Sequence, residues 1–539
     1  MLNDWPEYGL APLPTPAEMA TLDLKAQEVG IPGQVLMENA VRASVDLLKT
    51  RWPNLKSKVI YIVAGSGNNG GDAISMARQL SDLGARPLLF LLKPPASYRG
   101  EAKVELDIYL NLALPCFDIA DLFSAEAGKP DILIDGILGT GFKGVLRDDL
   151  QQLIFKINDW GVKDVVAIDI PSGLDGQTGF PNPCAIYASL TICMHAQKLG
   201  LFYNHAKIYT GEVESVPIGI PRRVADEHRP KAYLLKPDIL NLWDHYPSNS
   251  YKNFFGHVLV IGGSKLALIG AGHLAAYAAL RAGAGLVTCL VPDALASSIR
   301  FNRPEIMVWP ISGEYSSATI NQEFKNRLKS FTSLVIGPGL GLDDQTADFL
   351  ENLLSFPDRP PVVLDADALK LLAKHPKWSD YLKEFDILTP HPGEAAVLLG
   401  IKASQVQKNR FDVLLDLAQK YSAVCVLKGA ETLITLGNGH IFVSPWDVPQ
   451  LAVAGSGDVL AGLIAALIGQ KHLLNYATLP GNTNPLTQHQ LLAGLGVVVH
   501  ALAGVRLAKK ISGRGFLASE IADEIPHVLA DNAKNDLSF

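Results

Sequence analysis

VIYIVAGSGNNGGDAISMARQL, Val59 to Leu80, is the stretch that decides the fold. Six apolar residues of strand character run into Gly65-Ser66-Gly67-Asn68-Asn69-Gly70, and a helical pattern, DAISMARQLSDLG, leaves it. A strand, a glycine turn and a helix in that order form the opening unit of a parallel sheet that binds ligands at its strand ends. Glycines let the backbone turn sharply and approach a ligand closely, while the helix N-terminus offers unpaired N–H groups to an anion. By itself the motif is equally a tight turn with Asp72 at the helix start. An ordinary dinucleotide oxidoreductase is a poor match, because the next strand ends in Lys93 where an acid would hold a ribose hydroxyl. A Walker phosphate loop is excluded too, since no Lys-Ser/Thr follows the glycines.

Working outward, the same rhythm recurs. KVIYIVA (58–64), RPLLFLL (86–92), PDILIDGIL (130–138), DVVAIDI (164–170) and SLTICM (189–194) read as strands with helices between them. That alternation predicts a parallel sheet covered on both faces. Three successive strand ends combine Gly with Asp, Asn or Ser: the opening turn, Asp135-Gly136-Ile137-Leu138-Gly139-Thr140-Gly141, and Asp169-Ile170-Pro171-Ser172-Gly173-Leu174-Asp175. Asp135 falls inside an apolar strand, where a carboxylate needs a cation or several donors. Asn69, Asp135 and Ser172 can jointly supply oxygen ligands to a hard cation.

GNNGGDA, DGILGTGFKG and DIPSGLDG, preceded by VGIPGQVLMENA (29–40), closely resemble the NAD(P)HX epimerase domain over about residues 15–221. The resemblance implies interconversion of the R and S hydrates of NADH or NADPH, with a bound potassium ion. It implies that Asn68, Asn69, Gly70, Gly71, Asp72, Gly139, Thr140, Gly141, Phe142, Lys143, Gly144, Val145 and Asp169 hold substrate. Asn69, Asp135 and Ser172 would hold the ion. Asp169 is the expected acid–base group for loss and return of the hydroxyl; the competing reading makes it an anchor for the Pro-Ser-Gly turn. His195 departs from the family pattern, which has a small residue there, and leaves the role of Lys198 open.

A second series begins at GHVLVIGGS (256–264) and continues through LVTCLVP, SLVIGPG, PPVVLDAD, DILTPHP, AVCVLKG and TLITLGNG. Its strongest signal is AVAGSGDVLAGLIAALIG (452–469), a glycine turn opening an apolar helix with Asp458 in the first turn. Backbone N–H groups there make an anion hole for a phosphoryl group, and Asp458 beside it can take a proton from a hydroxyl. TPHPGEAAVLL (389–399) sets His391 and Glu394 three apart at a helix start, where Glu394 can hold magnesium through water. Lys428, at the end of a strand, offers a cation to phosphates. Taken singly, each has a plain structural reading: a dipole-stabilising Asp, a capping His, a solvated Lys.

Together these pieces resemble the ribokinase-like fold, and within it the ADP- or ATP-dependent NAD(P)HX dehydratase, over about residues 240–520. The resemblance implies that Ala271, Gly339, His391 and Asp458 contact the hydrated nicotinamide. It implies that Lys428, Gly429, Ala430, Glu431, Thr432 and Gly457 contact ADP or ATP, with Mg2+ beside the phosphates. Gly272 departs from a family proline. The expected architecture is α/β throughout: an N-terminal Rossmann-like three-layer sandwich (1–225), a linker (226–240) and a C-terminal ribokinase-like three-layer sandwich (241–539). The alternative function is a small-molecule kinase fused to a nucleotide-binding domain.

Composition agrees with a globular enzyme. The 539 residues are 48% apolar and 19% charged, with a net charge of −7 and no long basic run, which excludes a nucleic-acid binder. The five cysteines have no CxxC spacing and read as reduced thiols. No basic region followed by an apolar stretch opens the chain, and LAGLIAALIG is shorter than the ~18 residues of a membrane span. The expectation is a cytoplasmic, soluble homo-oligomer acting on small molecules, with no membrane partner.

Overall fold

The computed structural model describes residues 9–124, 128–142, 144–203, 206–243, 249–265, 267–474, 488–511 and 513–531. The chain forms two compact units that divide between Ala232 and Tyr233, the second also taking the strand segment ahead of Pro12. The stretch read as a linker therefore contains structure. Ala232–Leu235 is a strand of the second sheet, next to the N-terminal strand Leu10–Pro12.

In the first unit seven strands run in the order Cys116–Asp118, Arg86–Leu91, Val59–Ala64, Ile132–Gly136, Asp164–Ile168, Leu190–Met194, Glu212–Val216. All six pairings are parallel. The strand order reverses direction between Val59–Ala64 and Ile132–Gly136, which opens a crevice beyond their carboxyl ends. The turns there are close-packed. A Cβ on Gly65 would lie 2.0 Å from the Ile137 carbonyl, and one on Gly70 would lie 1.7 Å from the Gly65 carbonyl. Glycine at both positions is a steric requirement of this turn.

The second sheet has eleven strands. Seven of them run parallel, from Val424–Leu427 through Ile387–Leu388, Val362–Leu364, Ser333–Ile336 and His257–Ile261 to Leu286–Pro292 and Met307–Ile311. Leu433–Thr435 and Ile441–Val443 then extend the sheet antiparallel. Against it packs the helix Ser456–Gly469, almost wholly apolar and buried. It meets Ile269–Arg281 so closely that a Cβ on Gly462 would lie 2.0 Å from the Ala275 carbonyl. The N-terminal end of Ser456–Gly469 also lies against this helix, since a Cβ on Gly455 would lie 2.5 Å from Leu274 Cδ1.

One described helix, Gln488–Lys510, is long and apolar enough to cross a membrane by length and composition. The sequence reading missed it by weighing only unbroken apolar runs. Here it is a core helix, 78% buried in its most apolar window, packed with Ser456–Gly469 and Ala518–Ala530. All five cysteines are free thiols.

Candidate functional site

At the first sheet's reversal point the Asp135 carboxylate is fully buried. Its Oδ1 accepts from Ser172 Oγ at 2.6 Å and Ile137 N at 3.2 Å, and its Oδ2 accepts from Ser172 N at 2.8 Å. Asn69 Nδ2 donates to the Leu138 carbonyl at 3.0 Å, and Leu138 N donates to Ser172 Oγ at 2.9 Å. Asn69, Asp135 and Ser172 are thus gathered around one backbone segment. Burial pushes Asp135 up to about 6 despite those donors. The set is oxygen-rich and carries one net negative charge when ionised, which fits a hard monovalent cation.

Asp169 follows on the neighbouring strand with φ +66°, a backbone region rarely adopted by side chains other than glycine. Its carboxylate accepts from Met194 N at 3.2 Å and forms an ion pair with Lys198, whose side chain is completely buried. Lys198 also donates to the Met194 carbonyl at 2.8 Å. Burial alone would lower the Lys198 ammonium, but Asp169 outweighs it and the net shift is upward. His195, also at positive φ, is pushed down to about 4 by burial and then by Lys198, so it is neutral.

A cleft of about 120 Å³ opens beside these groups, with Asp23, Asn68, Asp72, Met37, Met194 and Ile218 among its walls. Asn68 and Asp72 were legible in the sequence. Asp23 was not: it sits in the helix Pro16–Glu28, ahead of every motif. Gly139 packs against the Asn69 side chain, 3.1 Å from where its Cβ would be, so the 139–145 loop starts at this rim. Lys143 of that loop lies outside the described residues.

In the second unit Gly455, at φ +90°, caps Ser456–Gly469 and sets Asp458 in the first turn. A Cβ on Gly457 would lie 3.2 Å from Lys428 Nζ and 3.8 Å from Asp365 Oδ2. Lys428 pairs with Asp365 at 2.7 Å and stands 4.0 Å from Glu394. Thr389 Oγ1 donates to Asp365 at 2.8 Å. Burial first, then Asp365, pushes Asp458 up to about 7, with Lys428 opposing. Burial alone would lower Lys428, but Asp365, Glu394 and Asp458 outweigh it, so its ammonium stays protonated. Asp365 lies within PPVVLDAD but is not singled out by the sequence; its burial beside a lysine is visible only in three dimensions.

His391 caps the helix Pro392–Leu399: its Nδ1 accepts from Gly393 N at 3.0 Å and Glu394 N at 3.3 Å, and Glu394 Oε2 accepts from His391 N at 2.9 Å. With Nδ1 occupied as an acceptor, a neutral ring carries its hydrogen on Nε2. Burial and Lys428 lower its pKa, consistent with that neutral form. The 428–432 turn is braced from beneath by Arg410, which donates to the carbonyls of Leu427 at 3.2 Å and Glu431 at 2.8 Å. Ala271 and Gly339 come together at Leu268. Ala271 N donates to the Leu268 carbonyl at 3.2 Å, and a Cβ on Gly339 would lie 2.5 Å from the same oxygen.

The buried oxygen cluster around Asp135 at the first sheet's reversal point and the glycine-capped helix N-terminus carrying Asp458 in the second unit suit a two-site nucleotide-processing enzyme. Comparison with known proteins narrows the class. The family model described as NAD(P)H-hydrate dehydratase matches residues 258–527, and that described as YjeF-related protein N-terminus matches residues 33–200. The bifunctional NAD(P)H-hydrate repair enzyme of Moorella thermoacetica is 37% identical over 96% of this chain and 96% of its own. That of Coxiella burnetii is 34% identical over 95% and 97%. The Bacillus subtilis ADP/ATP-dependent NAD(P)H-hydrate dehydratase, solved after co-crystallisation with ATP/Mg2+, is 25% identical with a TM-score of 0.44, covering 55% of this chain and 96% of that one. The chain belongs to the bifunctional NAD(P)H-hydrate repair enzymes. It is an epimerase and a dehydratase of hydrated NAD(P)H, and the alternative of a small-molecule kinase fused to a nucleotide-binding domain falls away.

Proposed function

We propose that the R and S hydrates interconvert at the cleft of the first unit and that the S hydrate is dehydrated at the Asp458 rim with ADP or ATP as phosphoryl donor. At the first rim the 68–72 turn and the 139–145 loop hold the substrate. Asp169, paired with Lys198, faces the positive charge that develops when the C6 hydroxyl leaves. Asn69, Asp135 and Ser172 would hold K+, which when bound neutralises the buried Asp135 and stiffens the rim.

At the second rim Ala271, Gly339, His391 and Asp458 hold the hydrate, while Lys428 to Thr432 and Gly457 hold the nucleotide. Asp458 takes the proton from the C6 hydroxyl as the hydroxyl oxygen attacks the terminal phosphorus, and the bond to the bridging oxygen breaks to release AMP from ADP or ADP from ATP. Lys428 and the N–H groups after Gly455 face the transferring phosphoryl. The phosphate then departs with the C6–O electrons, and loss of a C5 proton restores the ring double bond. Hydroxide is a poor leaving group and phosphate a good one, which is what the nucleotide contributes. Glu394 fits Mg2+ held through water, and the ion supplies charge neutralisation on the phosphates.

The observation that carries the reading is Asp458, raised to about 7 and set at a helix N-terminus beside the Lys428–Asp365 pair. Incubating the protein with racemic hydrated NADH and ADP or ATP tests it. Full recovery of the reduced-nicotinamide absorbance, with stoichiometric inorganic phosphate, is the expected result; a stable phosphoester product contradicts it.

A further inference from the structure

We infer that Asp23 and Asp72 form a proton-sharing carboxyl pair on the cleft of the first unit, and that this pair moves the proton at the substrate's C6 hydroxyl during epimerisation. The inference rests on the reading of that cleft as the epimerisation site. Both side chains wall the same cavity, one from Pro16–Glu28 and the other from the start of Asn68–Asp82. Asp72 is 8% exposed, yet no described residue donates a hydrogen bond to its carboxylate. Asp23 Oδ1 is likewise buried with no partner among the described residues.

Among the described residues four other buried carboxylates are provided for, whereas Glu105 has one oxygen bonded to Gln34 and the other without a donor. Asp135 has three donors, Asp386 a paired Arg359, Asp365 both Lys428 and Thr389, and Asp169 both Lys198 and Met194 N. The contrast points to a role for the two that face the cleft unpaired. A buried carboxyl without donors resists ionisation, and two on one cavity hold a proton between them.

The charges around the pair favour that proton. Asp169, Glu105 and the cleft-lining Glu101 are acidic, and the cation that opposes them at Asp72, Lys198, is already bonded to Asp169. Burial first, then Asp169, carries Asp72 well above its ordinary value, and burial carries Asp23 up to about 6. Asp169, by contrast, is locked in its ion pair and is poorly placed to donate a proton.

The step balances. The pair gives its proton to the C6 hydroxyl oxygen, the C6–O bond breaks with both electrons on oxygen, and water leaves. The ring N1 lone pair forms a C6=N1 cation that faces the carboxylate left behind. Water then adds to the opposite face, the C6=N1 electrons return to nitrogen, and the shed proton passes back to the pair through the water first released. Nothing is oxidised, reduced or consumed.

The test uses the full chain, racemic hydrated NADH and excess nucleotide. A fast phase then reports dehydration of the S form, and a slow phase reports epimerisation of the R form. Asp72→Asn is expected to slow the second phase by at least about 100-fold while leaving the first unchanged. Asp23→Asn removes a like charge from Asp72, so the alkaline limb of the slow-phase pH profile is expected to move to lower pH. A slow phase within threefold of the parent in Asp72→Asn, or an unmoved pH profile in Asp23→Asn, overturns the proposal. Asn68→Trp, which fills the cleft, separates this failure from a failure of the site itself. If it abolishes the slow phase while Asp72→Asn does not, the pair falls and the site stands; if it too leaves the slow phase intact, the site reading falls.

Discussion

Each rim holds a lysine bonded to a buried aspartate, and the two lysines differ in exposure. Lys198 is sealed, with none of its side chain exposed, while Lys428 keeps 18% of its side chain open to the rim. A sealed ammonium can only fix its partner; an open one can also meet a phosphate. The carboxyl groups beside them follow suit. Asp458 stands at about 7, poised to take a proton near neutrality, whereas Asp72 lies well above its ordinary value and keeps one.

The largest effect that sharpens this contrast is expected from Asp458→Asn. Removing the base should lower dehydration by about 10²–10⁴-fold and leave R/S interconversion, followed by chromatography, unchanged. A parallel loss of both activities would break the two-site comparison.

Next come the lysines. Lys198→Met strands Asp169 in the interior and should cost about 3–5 kcal/mol in urea unfolding of the first unit. Lys428→Met removes an ammonium already 18% open to solvent and leaves Asp365 a donor in Thr389, so it should cost less stability and more activity. Equal stability losses would remove the distinction drawn from exposure.

A smaller effect appears with pH. Dehydration kcat/KM should fall as pH drops through about 7, because Asp458 must be ionised to act as a base. The sign for stability is opposite. Folded Asp458 holds its proton up to about 7 while the unfolded chain releases it near 3.8, so this group's contribution to stability falls as pH rises through that window. Asp458→Asn should therefore raise the melting temperature at pH values above the window and have little effect below it. The reverse pattern would contradict the assignment. The smallest effect is that of K+: at tenfold its Kd the ion should stabilise the first unit by about 1.4 kcal/mol, and Asp135→Asn should abolish the gain.

Much of this was readable in the chain because α/β sheets put glycine, Asp and Asn at strand ends, where spacing in sequence equals position on the rim. Asn69, Asp135 and Ser172 converge for that reason, and so do Lys428, Gly457 and Asp458. The central strands were legible through unbroken apolar runs. Cys116–Asp118 and Glu212–Val216 were not, since short or alternating edge strands give weak signals, and Ala232–Leu235 was hidden in a charged, proline-marked stretch. Asp23 and Asp365 escaped because their chemistry depends on partners far along the chain. Asp169 was read as the acid–base group from its acidity and place on the rim. What sequence could not supply was Lys198 folded back onto it.

The central claim is two separate rims for one damaged coenzyme. A crystal of the full chain soaked with hydrated NADH tests it most directly. Density for the hydrate over the 65–72 turn, against Asp72, and a second copy against Asp458 is the expected result. Density confined to one rim, or at neither, would contradict the account.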